Sequence, residues 1–160
     1  MNKIRRIVMS AMLAALVCVA TMIIKIQLTP NGYINLGDGV IILSGWMLGP
    51  FYGFLSAGIG SMLADLFSGF VLYAPATFVI KGLMAVVAFY VIRKLKSVVI
   101  ATIIAEMVMI SGYYIFEGFI YGFATALTSM PGNAVQSVAG IVVGILLIRV
   151  FKKSGIKFDL

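Results

Sequence analysis

Glu106, Tyr113, Glu117 and Tyr121 follow one another at separations of seven, four and four residues. On a helix that spacing puts two carboxylates and two phenols on one face. Asn133, Gln136, Gly140 and Gly144 make a second stripe, and Thr77, Lys81 and Ala85 a third. Phenol rings stack a flat molecule, while carboxylate, amide and ammonium groups fix its polar edge. The three stripes therefore describe a binding pocket better than a reaction centre. The chain has no histidine and a single cysteine, Cys18. That removes Ser-His-Asp and Cys-His catalysis, histidine proton relays and His- or Cys-based metal sets. No G-x-x-x-x-G-K-[ST] loop is present either, so the chain hydrolyses no nucleotide by that route. The expectation is a protein that is not an enzyme, with no catalytic residues, no metal and no catalytic cofactor.

What surrounds the stripes is apolar. Of 160 residues, 62% are hydrophobic and only 11% charged, and the mean hydropathy is +1.15. A soluble domain of this length needs far more surface charge, so the class is an all-α integral membrane protein. The net charge of +7 is not a nucleic-acid footprint. Its basic residues fall in three clusters, Lys3/Arg5/Arg6, Arg93/Lys94/Lys96 and Arg149/Lys152/Lys153/Lys157, each at the edge of an apolar run. That is how cytoplasmic loops are marked.

The apolar runs predict helices over about 4–26, 38–48, 50–67, 76–92, 97–121 and 133–150, all in one domain spanning 1–160. The first run is longer than the core of a signal peptide, and Val17 before Cys18 spoils a lipoprotein cleavage site. The second and third are separated at Gly49-Pro50 on the strength of charge. One continuous helix would send seven basic residues outward against three inward; two helices place all three clusters in the cytoplasm. Six transmembrane helices with both termini cytoplasmic follow. The connections 27–37, 69–75 and 122–131 become outer loops, and the first is long enough for a lid.

In that topology the polar groups gather in the outer half. Asp38, Asp65, Lys81, Glu117, Asn133 and Gln136 lie there, and Glu106 near the midplane. Several of these and of the tyrosines have two readings. Lys81 faces a ligand or is neutralised by Asp65, a structural ion pair at matching depth. Tyr113 and Tyr121 line the pocket or form an interfacial belt. Asn133 meets a ligand or caps the last helix. Glu117, a carboxylate among aromatic residues, points to ligand or relay work. Glu106 has no evident partner. A stand-alone secondary transporter coupled to protons through Glu106 or Glu117 is the alternative to a pure binding role. Ala11 and Ala15 form an A-x-x-x-A pair on the first helix, a surface for close helix packing.

N-L-G-D at Asn35–Asp38, L-G-P-F-Y-G at Leu48–Gly53 and G-S-M-L-A-D-L-F-S-G at Gly60–Gly69 resemble S components of energy-coupling factor (ECF) transporters. So do A-P-A-T-F-V-I-K-G at Ala74–Gly82 and P-G-N-A-V-Q at Pro131–Gln136. The likeness covers nearly the whole chain and is nearest the riboflavin, hydroxymethylpyrimidine and pyridoxine branch. It implies an S-component-like bundle in the bacterial cell membrane that captures a vitamin or precursor from outside. The ligand site is built from the first outer loop and the last three helices, which adds Tyr33 and Asn35 as lid residues. The resemblance also implies partners, a membrane T component and two ATPase subunits that hydrolyse ATP. Ala11 and Ala15 match the family's docking surface for the T component. Among vitamins, the tyrosines, two carboxylates and lysine suit a compact heterocycle of the pyridoxine or hydroxymethylpyrimidine type, with riboflavin as the other candidate.

Overall fold

The computed structural model describes residues 3–23, 26–29 and 32–154, with backbone alone for 26–29 and 32–34. Helix α1, Lys3–Ile23, leads into a short antiparallel hairpin of β1, Ile26–Thr29, and β2, Gly32–Ile34. Then come α2, Gly37–Phe67; α3, Ala74–Leu95; and α4, Val98–Tyr121. A short helix α5, Phe123–Ala126, and a 3-10 turn, Leu127–Ser129, run into α6, Met130–Lys153. Among the described residues, five helical stretches are long and apolar enough to cross a membrane: α1, α2, α3, α4 and the continuous run Phe123–Lys153.

Helix α2 is the centre of the bundle. It packs against α1, α3 and α6, and 67% of its most apolar window is buried, against 22% for α1. Ile41, Ile42, Leu43 and Leu48 from α2 meet Met84 of α3, Met109 of α4 and Ile148 of α6 in the core. The outer helices instead turn large apolar side chains outward, among them Ile4, Met12 and Leu16 of α1, Phe119 of α4 and Val138 of α6. Water would penalise that surface and hydrocarbon would not.

The centre is not straight. Gly49 has φ 81° and ψ −177°, a conformation open in practice only to glycine, and Pro50 follows it. Eight residues of straight helix would hold Gly45 and Gly53 about 12 Å apart. Here a Cβ added to Gly53 would lie 2.8 Å from the Cα of Gly45. The two halves of α2 therefore fold back on each other at Gly49. Pro50 suits the start of the returning half, where its missing N–H costs nothing.

Two connections differ from expectation. The stretch 27–37, expected as an irregular loop, contains the β1–β2 hairpin, and β2 rests against α6. The stretch 122–131 is helical over most of its length. The helices after the connections 69–75 and 122–131 also start earlier than the sequence suggests, because Pro75 and Pro131 sit inside the first turns of α3 and α6. Proline is at home there, so neither marks a loop.

Replacing Gly49 with alanine forces a side chain into this backbone. The expected cost is about 1–3 kcal/mol, seen as a lower midpoint in detergent unfolding. A wild-type midpoint would show that α2 can straighten without loss.

Candidate functional site

The site is built where the start of α2 meets α3, α4 and α6. Asp38 stands in the first turn of α2, where the helix dipole favours an anion. Its side chain is fully buried, and so it needs neutralising partners. Lys81 Nζ of α3 lies 2.5 Å from Asp38 Oδ1, and Gln136 Nε2 of α6 donates to Asp38 Oδ2 at 2.5 Å. Gln136 in turn accepts at Oε1 from Asn35 Nδ2, 3.4 Å away. Asn35 Oδ1 accepts from the Gly37 N–H at 2.9 Å, which satisfies one of the donors left open at the start of α2. One polar chain thus runs from the end of the hairpin through α6 to α2 and α3.

Beside it stands an aromatic wall. Tyr113 of α4 shares a 2.9 Å hydrogen bond with Thr77 Oγ1 of α3, and its ring centroid is 5.5 Å from Lys81 Nζ. Tyr73, the residue just before α3, lies edge-on to Phe116 at 5.3 Å and tilted to Tyr113 at 6.5 Å. Its hydroxyl donates to Glu117 Oε1 at 3.3 Å. Glu117 is only 5% exposed, and its second oxygen has no hydrogen-bond partner among the described residues. A buried acceptor left open beside three rings is a place for a donor group on a flat molecule.

The structure brings together Asn35, Lys81, Tyr113, Glu117 and Gln136 of the residues singled out in the sequence. Tyr33 belongs to β2, and its side chain lies outside the described residues. Tyr121 is 37% exposed at the end of α4, though close enough to Tyr73 to interact with it. Asn133 is half-buried inside the first turn of α6, whose cap position is Ser129, so it is not the cap. The ion pair of Lys81 is made with Asp38 rather than Asp65. Depth along the membrane put Asp65 and Lys81 level, but depth carries no information on which side of the bundle a side chain faces. Asp65 is buried near the far end of α2, within electrostatic range of Tyr113. Tyr73 and Phe116 were missed, and so was Asp38 as a network centre. Its position, second in a helix behind N-L-G, was the available signal. Ala11 and Ala15 lie exposed on α1, on the side away from the buried Leu13 and Val17. Among the described residues, no group of three or more His, Cys, Asp or Glu side chains gathers as metal ligands would.

Comparison with known proteins bears on this arrangement. The model of the family described as "ECF-type riboflavin transporter, S component" matches residues 1–153. An uncharacterised protein from the gap 3′ region of Pyrococcus woesei is 33% identical over 141 residues, covering 86% of this chain and 95% of that one. Two solved structures share the fold. One, described as the S component of a bacterial ECF transporter, superposes with a TM-score of 0.78 at 23% identity, over 98% of this chain and all of the other. The second, an S component for biotin from an ECF-type ABC transporter, gives 0.62 at 20% identity, over 95% of each.

Removing one member of the Asp38–Lys81 pair strands the other in the core. Asp38→Asn or Lys81→Met should each cost about 3–5 kcal/mol. The double variant should lose much less than the sum, because no charge is left unanswered. Additive losses in unfolding titrations of the four proteins would show that the pair is not coupled.

Proposed function

Because the chain belongs to the family of S components of ECF-type riboflavin transporters, we propose that it is the substrate-binding subunit of such an importer. It captures a water-soluble vitamin from outside and passes it on with a membrane T component and two ATPase subunits. In this reading residues 1–160 form one domain of six transmembrane helices, the two halves of α2 each counted as one. Both termini lie on the cytoplasmic side of the cell membrane. The fold-back at Gly49 supports that count, and the three basic clusters support that orientation.

The observation that carries the binding role is the open oxygen of Glu117 beside Tyr73, Tyr113 and Phe116. These groups suit a flat heterocycle with a hydrogen-bond donor on its edge. Asn35 and the hairpin, Tyr33 included, serve as the lid, Tyr121 and Asn133 complete the outer rim, and Gln136 lies beneath it, holding Asn35 in place. Lys81 and Gln136 are already engaged by Asp38. With fewer free polar groups, the balance moves from pyridoxine or hydroxymethylpyrimidine toward the larger ring system of riboflavin, which the family also favours. Ala11 and Ala15, exposed and small, are the surface on which the T component docks.

Purified protein should bind riboflavin with an affinity on the order of nanomolar and without ATP. Binding of pyridoxine or hydroxymethylpyrimidine alone would move the assignment to those vitamins, and binding of none would remove its support. Glu117→Gln should weaken binding by about tenfold to a hundredfold, the worth of a hydrogen bond to a charged group. Ala11→Leu or Ala15→Leu should abolish uptake in cells and leave ligand affinity unchanged; a parallel loss of both would count against docking.

A further inference from the structure

Glu106 differs from the other carboxylates of the core. Its side chain is 1% exposed, and neither of its oxygens has a hydrogen-bond partner among the described residues. It projects from the middle of α4 into the space left by Gly140 of α6. A Cβ at position 140 would collide with Glu106 Oε1, and would lie 2.9 Å from Asp38 Cβ. Glu106 and Asp38 therefore approach each other across one glycine, next to the Lys81–Gln136 network.

The charges around Glu106 do not balance. Helix α4 packs against α2, α3, α5 and α6. From α2 it faces Asp38 and from α3 Lys81, the two groups whose charges act on it. From α6 it meets Gly140 and the neutral Gln136, and α5 carries no charged residue. On α4 itself, the hydroxyl of Thr102, one turn away, is already given to the Val99 carbonyl at 2.8 Å. Two carboxylates thus share one ammonium, and Asp38 holds that ammonium directly. An unanswered negative charge at this depth is strongly disfavoured.

We propose that Glu106 is a monovalent-cation site, occupied by a proton or a sodium ion whenever the Asp38–Lys81–Gln136 network is assembled. With the cation in place, Glu106 is neutralised and Lys81 stays on Asp38. When the cation leaves, Glu106 competes for Lys81. Asp38 then loses its partner, and the disturbance passes through Gln136 to Asn35 and the end of the hairpin. The assembly of the outer end of the protein is in this way linked to a cation bound deep within it. The inference does not depend on which vitamin is bound, and its test needs no ligand.

The test compares wild type with Glu106→Gln, a neutral side chain of the same shape, as full-length protein in nanodiscs. Thermal unfolding, followed by Trp46 fluorescence, is measured from mildly acid to mildly alkaline pH without sodium, choline keeping the ionic strength. It is then measured against sodium at fixed pH. If the cation is a proton, the folded state holds more protons than the unfolded state. Wild-type stability relative to the variant then falls as pH rises, by up to about tenfold in the unfolding constant per pH unit, with no response to sodium. If it is sodium, the wild type alone gains stability, by up to about tenfold per tenfold rise in sodium. Parallel curves for the two proteins in both titrations would overturn the proposal. Should Glu106→Gln fail to fold, the same titrations are run on Glu117→Gln with infrared detection. There the proposal requires either a protonated-carboxyl band shielded from deuterium exchange or a sodium-dependent midpoint, and the absence of both overturns it.

Discussion

A carboxylate that must be buried has to be answered, and Asp38 is answered from two other helices. Lys81 reaches it from α3 and Gln136 from α6, so the start of α2 is fixed in rotation as well as position. Apolar packing alone would leave the helices freer to slide, because in a membrane it lacks the hydrophobic drive that locks a soluble core. The polar chain continues to Asn35 and so to the hairpin. The aromatic wall takes its place from the same contacts. Tyr113 leans over the Lys81 ammonium, and Tyr73 is set just before the helix that carries Lys81. The groups we assign to the vitamin are thus held by a network that does not itself need the vitamin.

Close backbone contact is what lets so many polar side chains meet. A Cβ at Gly45 would run into the backbone of Ala85, 2.8 Å from its carbonyl carbon. A Cβ at Gly140 would fill the space of the Glu106 carboxylate. Small residues along α2 and α6 therefore do two tasks. Some bring helices into contact, and others open room for ionisable groups where lipid would not tolerate them.

Much of this could be read in the sequence. Composition gave the class, and Gly49-Pro50, weighed with the three basic clusters, gave the break in α2, because charge and backbone chemistry act locally. The stripes on α3, α4 and α6 were also legible, since helical periodicity assigns residues to faces. What periodicity cannot supply is how each helix is turned relative to the next. Hence depth offers Asp65 as a partner for Lys81, when rotation delivers Asp38. Tyr73 escaped for a related reason. It precedes its helix and belongs to no stripe, and only the packing of the turn after α2 brings its hydroxyl to Glu117. Pro75 and Pro131 misled in the other direction, being helix starts that resemble loops.

The fold-back at Gly49 also bears on how the protein comes to be assembled. The first half of α2, from Gly37 to Gly49, is about 20 Å long at 1.5 Å per residue, well short of a hydrocarbon layer of about 30 Å. Nearly every residue in it is buried by other helices. Such a segment is a poor substrate for insertion by itself: it is too short, and it brings the Asp38 carboxylate with it. It is better suited to enter as a hairpin with its returning half, and to find its final seat only after α3 and α6 have been made. Lys81 and Gln136 come from those later parts of the chain, so a nascent protein would hold Asp38 at the bilayer surface until they arrive. The order of synthesis and the order of burial would then differ, and the earliest part of the bundle's centre would be the last to settle.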